Sequence, residues 1–444
     1  MDTASNLLDE ARALRDSADQ QLQQLRSMKP YLIDMSLREN PVGADIGQTL
    51  ADKLRILPQL RAFGMRNIHL GSLDYALPDE PEVDDDFMAH LRDHGVDMNG
   101  CFAFTDIGSV DAAGRFAPSP SLCKLRDYTV PNTLHEIYLS DAGMHGKYDV
   151  AQLKRDLAAS IGWIHANIRG DQRVDGDGHA APRILINIVD GCDAFAENLE
   201  RTCDMLAFLA AQPIEGVSIE DDRGTYLPFQ VGAYVAIARR YLPAPLKLLV
   251  HVHAGAGFEN ASVIEALLRG ADGVWGGLPK QAAIIGHASL GELIANLVRI
   301  GNPHMDAYQV GDLLPLATRL QELDARRPVP DDLPILGRNA YRLTLDFFRQ
   351  TEGRFMDLAP ERIGGRYGYR VCPLVSDAKV IAGRLAEVTG EPAGAFSTAL
   401  LNDMIRLMRR ELRAGLRIAY DEPAALLALM RRAEAMQPVV EASA

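Results

Sequence analysis

Leu248-Leu249-Val250-His251-Val252-His253-Ala254-Gly255 sets three apolar residues ahead of two histidines spaced one residue apart, and a turn of small residues follows. On a β-strand, residues i and i+2 face the same side. His251 and His253 therefore aim at one point, at the C-terminal end of a strand. Two convergent imidazoles make half of a divalent-metal site.

Working outward from this strand, residues 31–301 alternate short apolar runs with longer amphipathic stretches. Eight candidate strands emerge, at 31–35, 67–71, 97–104, 134–140, 183–189, 216–220, 248–253 and 273–276. Their starts are mostly about 30–36 residues apart, one strand–helix unit each. The expected architecture is α/β, a (β/α)8 TIM barrel with a helical C-terminal extension. A doubly wound open sheet is the rival, but no Gly-rich phosphate fingerprint follows the first strand. Barrel chemistry sits where strands end and loops begin. The polar residues gather at those ends: Arg38 and Glu39, His69, Thr105 and Asp106, Ser140 and Asp141, Asn187 and Asp190, Glu220 to Asp222, and the histidine pair.

The expected domains are an amphipathic helix over 1–29, the barrel over 30–302 and mostly helical subdomains over 303–444. In the first helix, Leu7, Ala11, Leu14, Ala18, Leu22 and Leu25 recur at spacings of three and four. It reads equally as an arm against a partner subunit or as a helix packed on its own domain. Past the barrel, 376–388, 395–418 and 422–436 read as helices. Pro328-Val329-Pro330-Asp331-Asp332-Leu333-Pro334 reads as an extended connector.

Composition narrows the function classes. A net charge of −14 argues against nucleic acid as a partner, since phosphate binding needs basic patches. The five cysteines are scattered without metal spacing and read as free thiols. No apolar run is long enough to span a bilayer, and no signal-peptide pattern opens the chain. The expectation is a soluble cytoplasmic protein that engages no membrane.

Asp34-Met35-Ser36-Leu37-Arg38-Glu39 follows the first strand and belongs on the active rim. A carboxylate there joins the histidine pair, giving two imidazoles and a carboxylate with open positions, as a Lewis-acid metal needs. Arg38 beside it suits a substrate carboxylate held through two parallel hydrogen bonds.

Asp-x-x-Leu-Arg-Glu after strand one, with His-x-His on strand seven, resembles the metal-dependent acyltransferase and lyase superfamily. That group includes 2-isopropylmalate synthase, homocitrate synthase, citramalate synthase and 3-hydroxy-3-methylglutaryl-CoA lyase. The resemblance implies that Glu39, His251 and His253 bind the metal and that Arg38 contacts a 2-oxo acid. It extends through Ile219-Glu220-Asp221-Asp222-Arg223-Gly224, similar to the family's sixth-strand D-T-x-G, and Ser140-Asp141-Ala142-Gly143-Met144-His145, similar to the synthases' T-S-x-I-H. Pro334-Ile335-Leu336-Gly337-Arg338-Asn339-Ala340-Tyr341 and Ala359-Pro360-Glu361-Arg362-Ile363-Gly364 point to the 2-isopropylmalate synthase branch. Gly286-His287 stands where a Gly-Asn pair often completes the metal shell, so His287 is either a third imidazole ligand or an ordinary helix-start histidine. Ser140 and Asn187 are candidate substrate-binding residues. His69, Asp222 and His145 are candidate acid–base residues beside Arg38.

Departures from the family accompany these matches. Asn40-Pro41-Val42 replaces the segment bearing a substrate-contacting glutamine. Phe348 stands at the synthases' catalytic histidine and Phe355 at its tyrosine partner. Phenylalanine cannot move a proton. The lyase loop G-G-C-P reads Gly276-Gly277-Leu278-Pro279, without cysteine. The resemblance implies a divalent ion (Zn, Mn, Fe or Mg), a 2-oxo acid, an acyl-CoA and a homodimer. Three readings stand open: a Claisen-type acyltransferase; a metal-dependent aldolase, lyase or decarboxylating condensation; and a non-catalytic relative.

Overall fold

The computed structural model describes residues 3–39, 41–42, 44, 46–73, 80–145, 149–173, 180–280, 285–325, 328–345 and 358–436. The chain divides into two compact units, Met1–Pro328 and Val329–Ala444.

The first unit is a closed barrel of eight parallel strands with helices between them. Its strands are β1 (Tyr31–Asp34), β2 (Asn67–Ser72), β3 (Cys101–Phe104), β4 (Asn132–Ile137), β5 (Ile184–Ile188), β6 (Gly216–Asp221), β7 (Lys247–Val252) and β8 (Gly273–Gly276). Each pairs with its sequence neighbours, and β1 closes on β8 with Tyr31 opposite Gly273 and Asp34 opposite Gly276. This is the (β/α)8 architecture that the spacing of apolar runs predicts. The third strand starts at Cys101 rather than 97, because the backbone N–H of Asn99 turns back onto the Asp97 carboxylate at 3.0 Å. Such a local side-chain bond competes with a sheet ladder. Two small hairpins, Ser109–Val110 with Phe116–Ala117 and Gln172–Arg173 with Ala180–Ala181, sit in the connections and have no counterpart in the sequence reading.

Ile33, Phe102, Phe104, Leu134, Leu185, Leu249 and Trp275 form one buried cluster drawn from six of the strands. A polar plug lies at the opposite end from the mouth. Arg183 reaches Asp171 with two parallel bonds of 3.0 and 2.8 Å, and it also donates to the Tyr31 hydroxyl and the Asn67 amide oxygen. Asp171 is further held by the Asn132 side chain and the Gly100 backbone. The guanidinium lies 4.7 Å from the Phe102 ring centre. Burial alone disfavours both charges, and the fork-to-fork geometry, with two further donors engaged by Tyr31 and Asn67, offsets it.

Outside the barrel, Thr49 and Asp52 cap helix Leu50–Phe63 reciprocally. The N-terminal helix, Thr3–Ser27, is tied down at its last turn: Arg26 Nε donates to the Ile300 carbonyl at 2.7 Å, and Asn302 Nδ2 donates to Leu25 O at 2.7 Å. In the second unit, helices Ala378–Thr389, Thr398–Arg413 and Pro423–Glu434 pack round Leu385, Leu401, Met404, Leu407, Leu426 and Leu429. Arg342 and Asp421 pair there at 2.8 Å. Among the described residues, no helix is long and apolar enough to cross a membrane, and all five cysteines are free.

Two outcomes follow. Arg183→Ala leaves Asp171 a buried charge without its partner, and chemical denaturation should show a loss of about 3–5 kcal/mol. An unchanged midpoint would remove the plug from the account of stability. His135, fully buried on β4, is pushed down to about 4 by burial, although the Thr105 carbonyl opposes this. The unfolded imidazole titrates near 6.5. The contribution of His135 is therefore complete above about pH 6.5 and declines by about 1.4 kcal/mol per pH unit as pH falls toward 4. Stability measured from pH 7 to 4.5 should fall less steeply in His135→Gln, by close to one proton.

Candidate metal centre

β6 and β7 run in register with Glu220 opposite His251. Alternation then turns Glu220, His251 and His253 toward the barrel axis at its C-terminal mouth. Their ligand atoms meet. His251 Nε2 and His253 Nε2 are 3.1 Å apart, Glu220 Oε1 is 3.1 Å from His253 Nε2, and it is 3.9 Å from His251 Nε2. A tetrahedral ion with ligands at about 2.0–2.1 Å holds them roughly 3.3 Å apart, so these separations fit three corners of such a shell. Among the described residues this is the group of metal-type side chains whose ligand atoms all converge.

Hydrogen bonds outside the trio aim its lone pairs. His251 Nδ1 donates to the Trp275 carbonyl at 2.9 Å, which leaves Nε2 as the free lone pair. The indole of Trp275 stacks on the same imidazole, 4.5 Å between centres. Asn187 Nδ2 donates to Glu220 Oε2, which turns Oε1 toward the histidines. Gly224, at φ +61, lets the loop after β6 pass under the end of β7: an added Cβ would lie 1.9 Å from the His253 carbonyl oxygen.

Burial governs the charges here. It holds His251 well below the usual imidazole range, and the neighbouring histidines add to this. Burial also opposes the charge on His253, but the hydrogen bond and charge of Glu220 outweigh it and raise that group. Burial raises Glu220 itself, while His253 and Asn187 pull it down. Neutral His251 presents the lone pair a cation needs, whereas the proton that Glu220 favours on His253 has to leave when a cation binds.

Glu39 and Arg38 occupy the turn after β1, where the N–H groups of both bond to the Met35 carbonyl. Both are buried, and their side chains pair with each other. Glu39 is close enough to act electrostatically on Glu220, His253 and His287. Its oxygens lie outside the converged trio. His287 is fully buried, its ring centre 5.5 Å from that of His251. Its Nδ1 faces the Ala288 carbonyl at 3.1 Å, and its Nε2 accepts from the Gly277 N–H at 3.3 Å. Joining the trio requires release from Gly277.

Arg38 lies over the Phe104 ring at 4.3 Å, and its Nε donates to Ser72 Oγ at 3.2 Å. His69 packs on the same ring, with centres 4.3 Å apart, and neither of its ring nitrogens has a hydrogen-bond partner. Burial, then the charges of Arg38 and Lys53, hold it neutral.

Three further sequence candidates lie apart from the trio. Ser140 is buried and caps the short helix Asp141–Met144, accepting from Gly143 N and donating its own N–H to Asp190. His145 is exposed at the end of that helix. Asp222 is half-buried, raised by burial, and lines a cavity of about 320 Å³ with Ser140, Asp190 and Asp193. Asn40, Phe348 and Phe355 lie outside the described residues. The sequence places Glu220 on the rim without assigning it to the metal. Its even-numbered parity with Ser218 and Asp222 was visible, but its register against His251 was not.

No protein-family model matches the chain, and no curated protein matches it. Solved structures do. The HMG-CoA lyase of Bacillus subtilis is 16% identical, with a TM-score of 0.53 over 71% of this chain and 97% of that one. The HMG-CoA lyase of Acinetobacter baumannii, solved with coenzyme A and 3-methylmalate, is 16% identical, with a TM-score of 0.52 over 68% and 93%. The hydroxymethylglutaryl-CoA lyase of Pseudomonas aeruginosa is 15% identical, with a TM-score of 0.51 over 67% and 93%. At these identities the likeness is one of fold.

Replacing Glu220 by Gln, or His251 or His253 by Ala, should each weaken Zn²⁺ or Mn²⁺ binding by more than the roughly 10–100-fold that loss of an outer partner brings. Competition titration against a chromogenic chelator reads this directly. Glu39→Gln and His287→Gln in the same assay report whether those side chains join the shell. Full metal content in all three primary variants would dismiss the trio.

Proposed function

We propose that this chain is a divalent-metal-dependent enzyme that forms or breaks a carbon–carbon bond beside the carboxylate of a 2-oxo or 2-hydroxy acid. The observation that supports this reading most is the convergence of Glu220 Oε1, His251 Nε2 and His253 Nε2 at the mouth of the barrel. Two imidazoles and one carboxylate suit Zn, Mn or Fe better than Mg. When bound, such an ion acts as a Lewis acid on the substrate's 2-oxygen. The remaining work falls to the protein. Arg38, flattened on Phe104 and pinned by Ser72, offers its fork to the substrate carboxylate once Glu39 turns away from it. Asn187 keeps Glu220 oriented. His69, neutral and with both nitrogens unpartnered, is the imidazole placed to hold or move a proton next to Arg38. Glu39 and His287 stand in reserve as further ligands.

Within this class, the sequence resemblance favours condensation of an acyl-CoA with a 2-oxo acid, as in the 2-isopropylmalate synthases. Cleavage or decarboxylating condensation is the second reading, and one feature of the rim favours it. The larger cavity there, about 840 Å³, is lined by Asp106, Glu136, Asp149 and Asp156, with no lysine or arginine among its described lining residues. A polyanionic carrier such as coenzyme A meets like charge in that cavity, whereas a small acid held at the metal needs none of it. Cleavage also calls for no strong carbon base, consistent with Phe348 and Phe355 in place of histidine and tyrosine.

Metal-loaded protein should be incubated with acetyl-CoA and a panel of 2-oxo acids, following free thiol, and separately with 4-hydroxy-2-oxo and 2-hydroxy diacids, following pyruvate and carbon dioxide. Thiol release supports condensation; pyruvate or carbon dioxide supports cleavage. Either activity should vanish with chelator and return with metal. Arg38→Ala should lower kcat/KM by roughly 100-fold, about 2.7 kcal/mol. No metal-dependent turnover in either panel would count against the whole class.

A further inference from the structure

The helix Thr3–Ser27 contains a run in which every residue, 6–21, is exposed. Leu7 is 65%, Leu8 53% and Leu14 75% accessible. Among the described residues, its hydrogen bonds to the barrel fall in its last turn, through Gln24, Leu25 and Arg26. A solitary helix of about 16 residues is marginal in water, so this stretch needs a surface to cover its leucines.

The sequence of the helix indicates which surface. Leu7, Ala11, Leu14 and Ala18 fall on the alternating four- and three-residue steps of a coiled-coil seam, and the next step falls on Gln21 at the end of the exposed run. Leu7, Leu14 and the polar Gln21 take the d sites, and Ala11 and Ala18 take the a sites. The flanking sites hold one charged pair, Glu10 at g and Arg15 at e, while Leu8 and Leu22 at the other e sites widen the apolar face. In a parallel, in-register pair, a g residue faces the e residue five positions on in the other helix. Glu10 therefore meets Arg15 of a second copy, and the two-fold axis repeats the pair. In an antiparallel pair, g faces g and e faces e, and Glu10 and Arg15 do not meet. Arg15 pairs with its exposed neighbour Asp16, a surface contact that a second helix can replace. The helix carries four acidic residues against three basic ones, the wrong balance for an anionic membrane surface.

We propose that the exposed face of this helix docks on the same helix of a second copy of this chain, as a parallel, in-register two-helix coiled coil. The interface rests on the pattern of the helix alone and is independent of the metal chemistry.

Sedimentation of the full chain over a concentration series tests it. The wild type should show a monomer–dimer equilibrium. Leu7→Asp with Leu14→Asp should raise the dissociation constant at least 100-fold while leaving the thermal transition of the barrel in place. Glu10→Arg should weaken the dimer, and Glu10→Arg combined with Arg15→Glu should restore it, which no merely structural effect of the helix would do. Leu7→Cys should cross-link to itself under mild oxidation, because residue 7 meets its own counterpart only in the parallel register. A chain monomeric at all concentrations would overturn the proposal. So would a dimer indifferent to the Leu7 and Leu14 substitutions, a failed charge swap, or binding of the helix to lipid vesicles instead.

Discussion

The shared register of three parallel strands is the constraint on which the mouth of this barrel depends. β5, β6 and β7 lie side by side with Asn187 opposite Ser218 and Glu220 opposite His251. Because side chains alternate, those pairings fix which residues face the axis and at what height. Asn187 then bonds a carboxylate one pleat above its own partner, and that carboxylate lies level with the histidines. A slip of one residue in β6 would send Glu220 into the helix layer and bring Asp221 to the axis in its place. Asp221 now holds the N–H groups of Thr225 and Tyr226, so the loop over the site would lose its anchor as well.

Neutral imidazole is expensive to charge in this setting and available to donate a lone pair. The trio combines burial, which suppresses the charge on His251, with a carboxylate close enough to favour charge on His253. One lone pair is thus held open and one proton shared. The bond from His251 to the Trp275 carbonyl carries the same logic outward, since it selects the tautomer. Arg38 and Glu39 satisfy each other, so the substrate-binding fork and a spare carboxylate are held back as a pair until something separates them.

All eight strands were legible in the sequence, because each is a short apolar run punctuated by loop-forming residues. Their ends were less so: Asp97 folds onto its own backbone, a local competition that hydrophobic pattern does not report. The histidine pair was legible from strand period alone. Glu220 was visible as a rim acid, but its meeting with His251 depends on an alignment of strands 31 residues apart in the chain, and pattern does not supply register. The engagement of both His287 nitrogens with backbone was likewise invisible, since it rests on how the loop after β8 comes back under Gly277. The two hairpins between strands carry too few residues to give a periodic signal.

The plug at the far end bears on how the molecule is made. Arg183 joins Tyr31, Asn67 and Asp171, so its partners come from the first strand, the second strand and the connection before the fifth. A ribosome that has released only the first four strand–helix units has produced the carboxylate and the two strand-borne acceptors, but not the cation that gathers them. The acid at the base of the barrel thus precedes its cationic partner in the chain, with Asn132 and Gly100 its only earlier donors among the described residues. Synthesis order and charge compensation are thereby linked: the cation that ties the first two strands to Asp171 is among the last parts of the plug to be made.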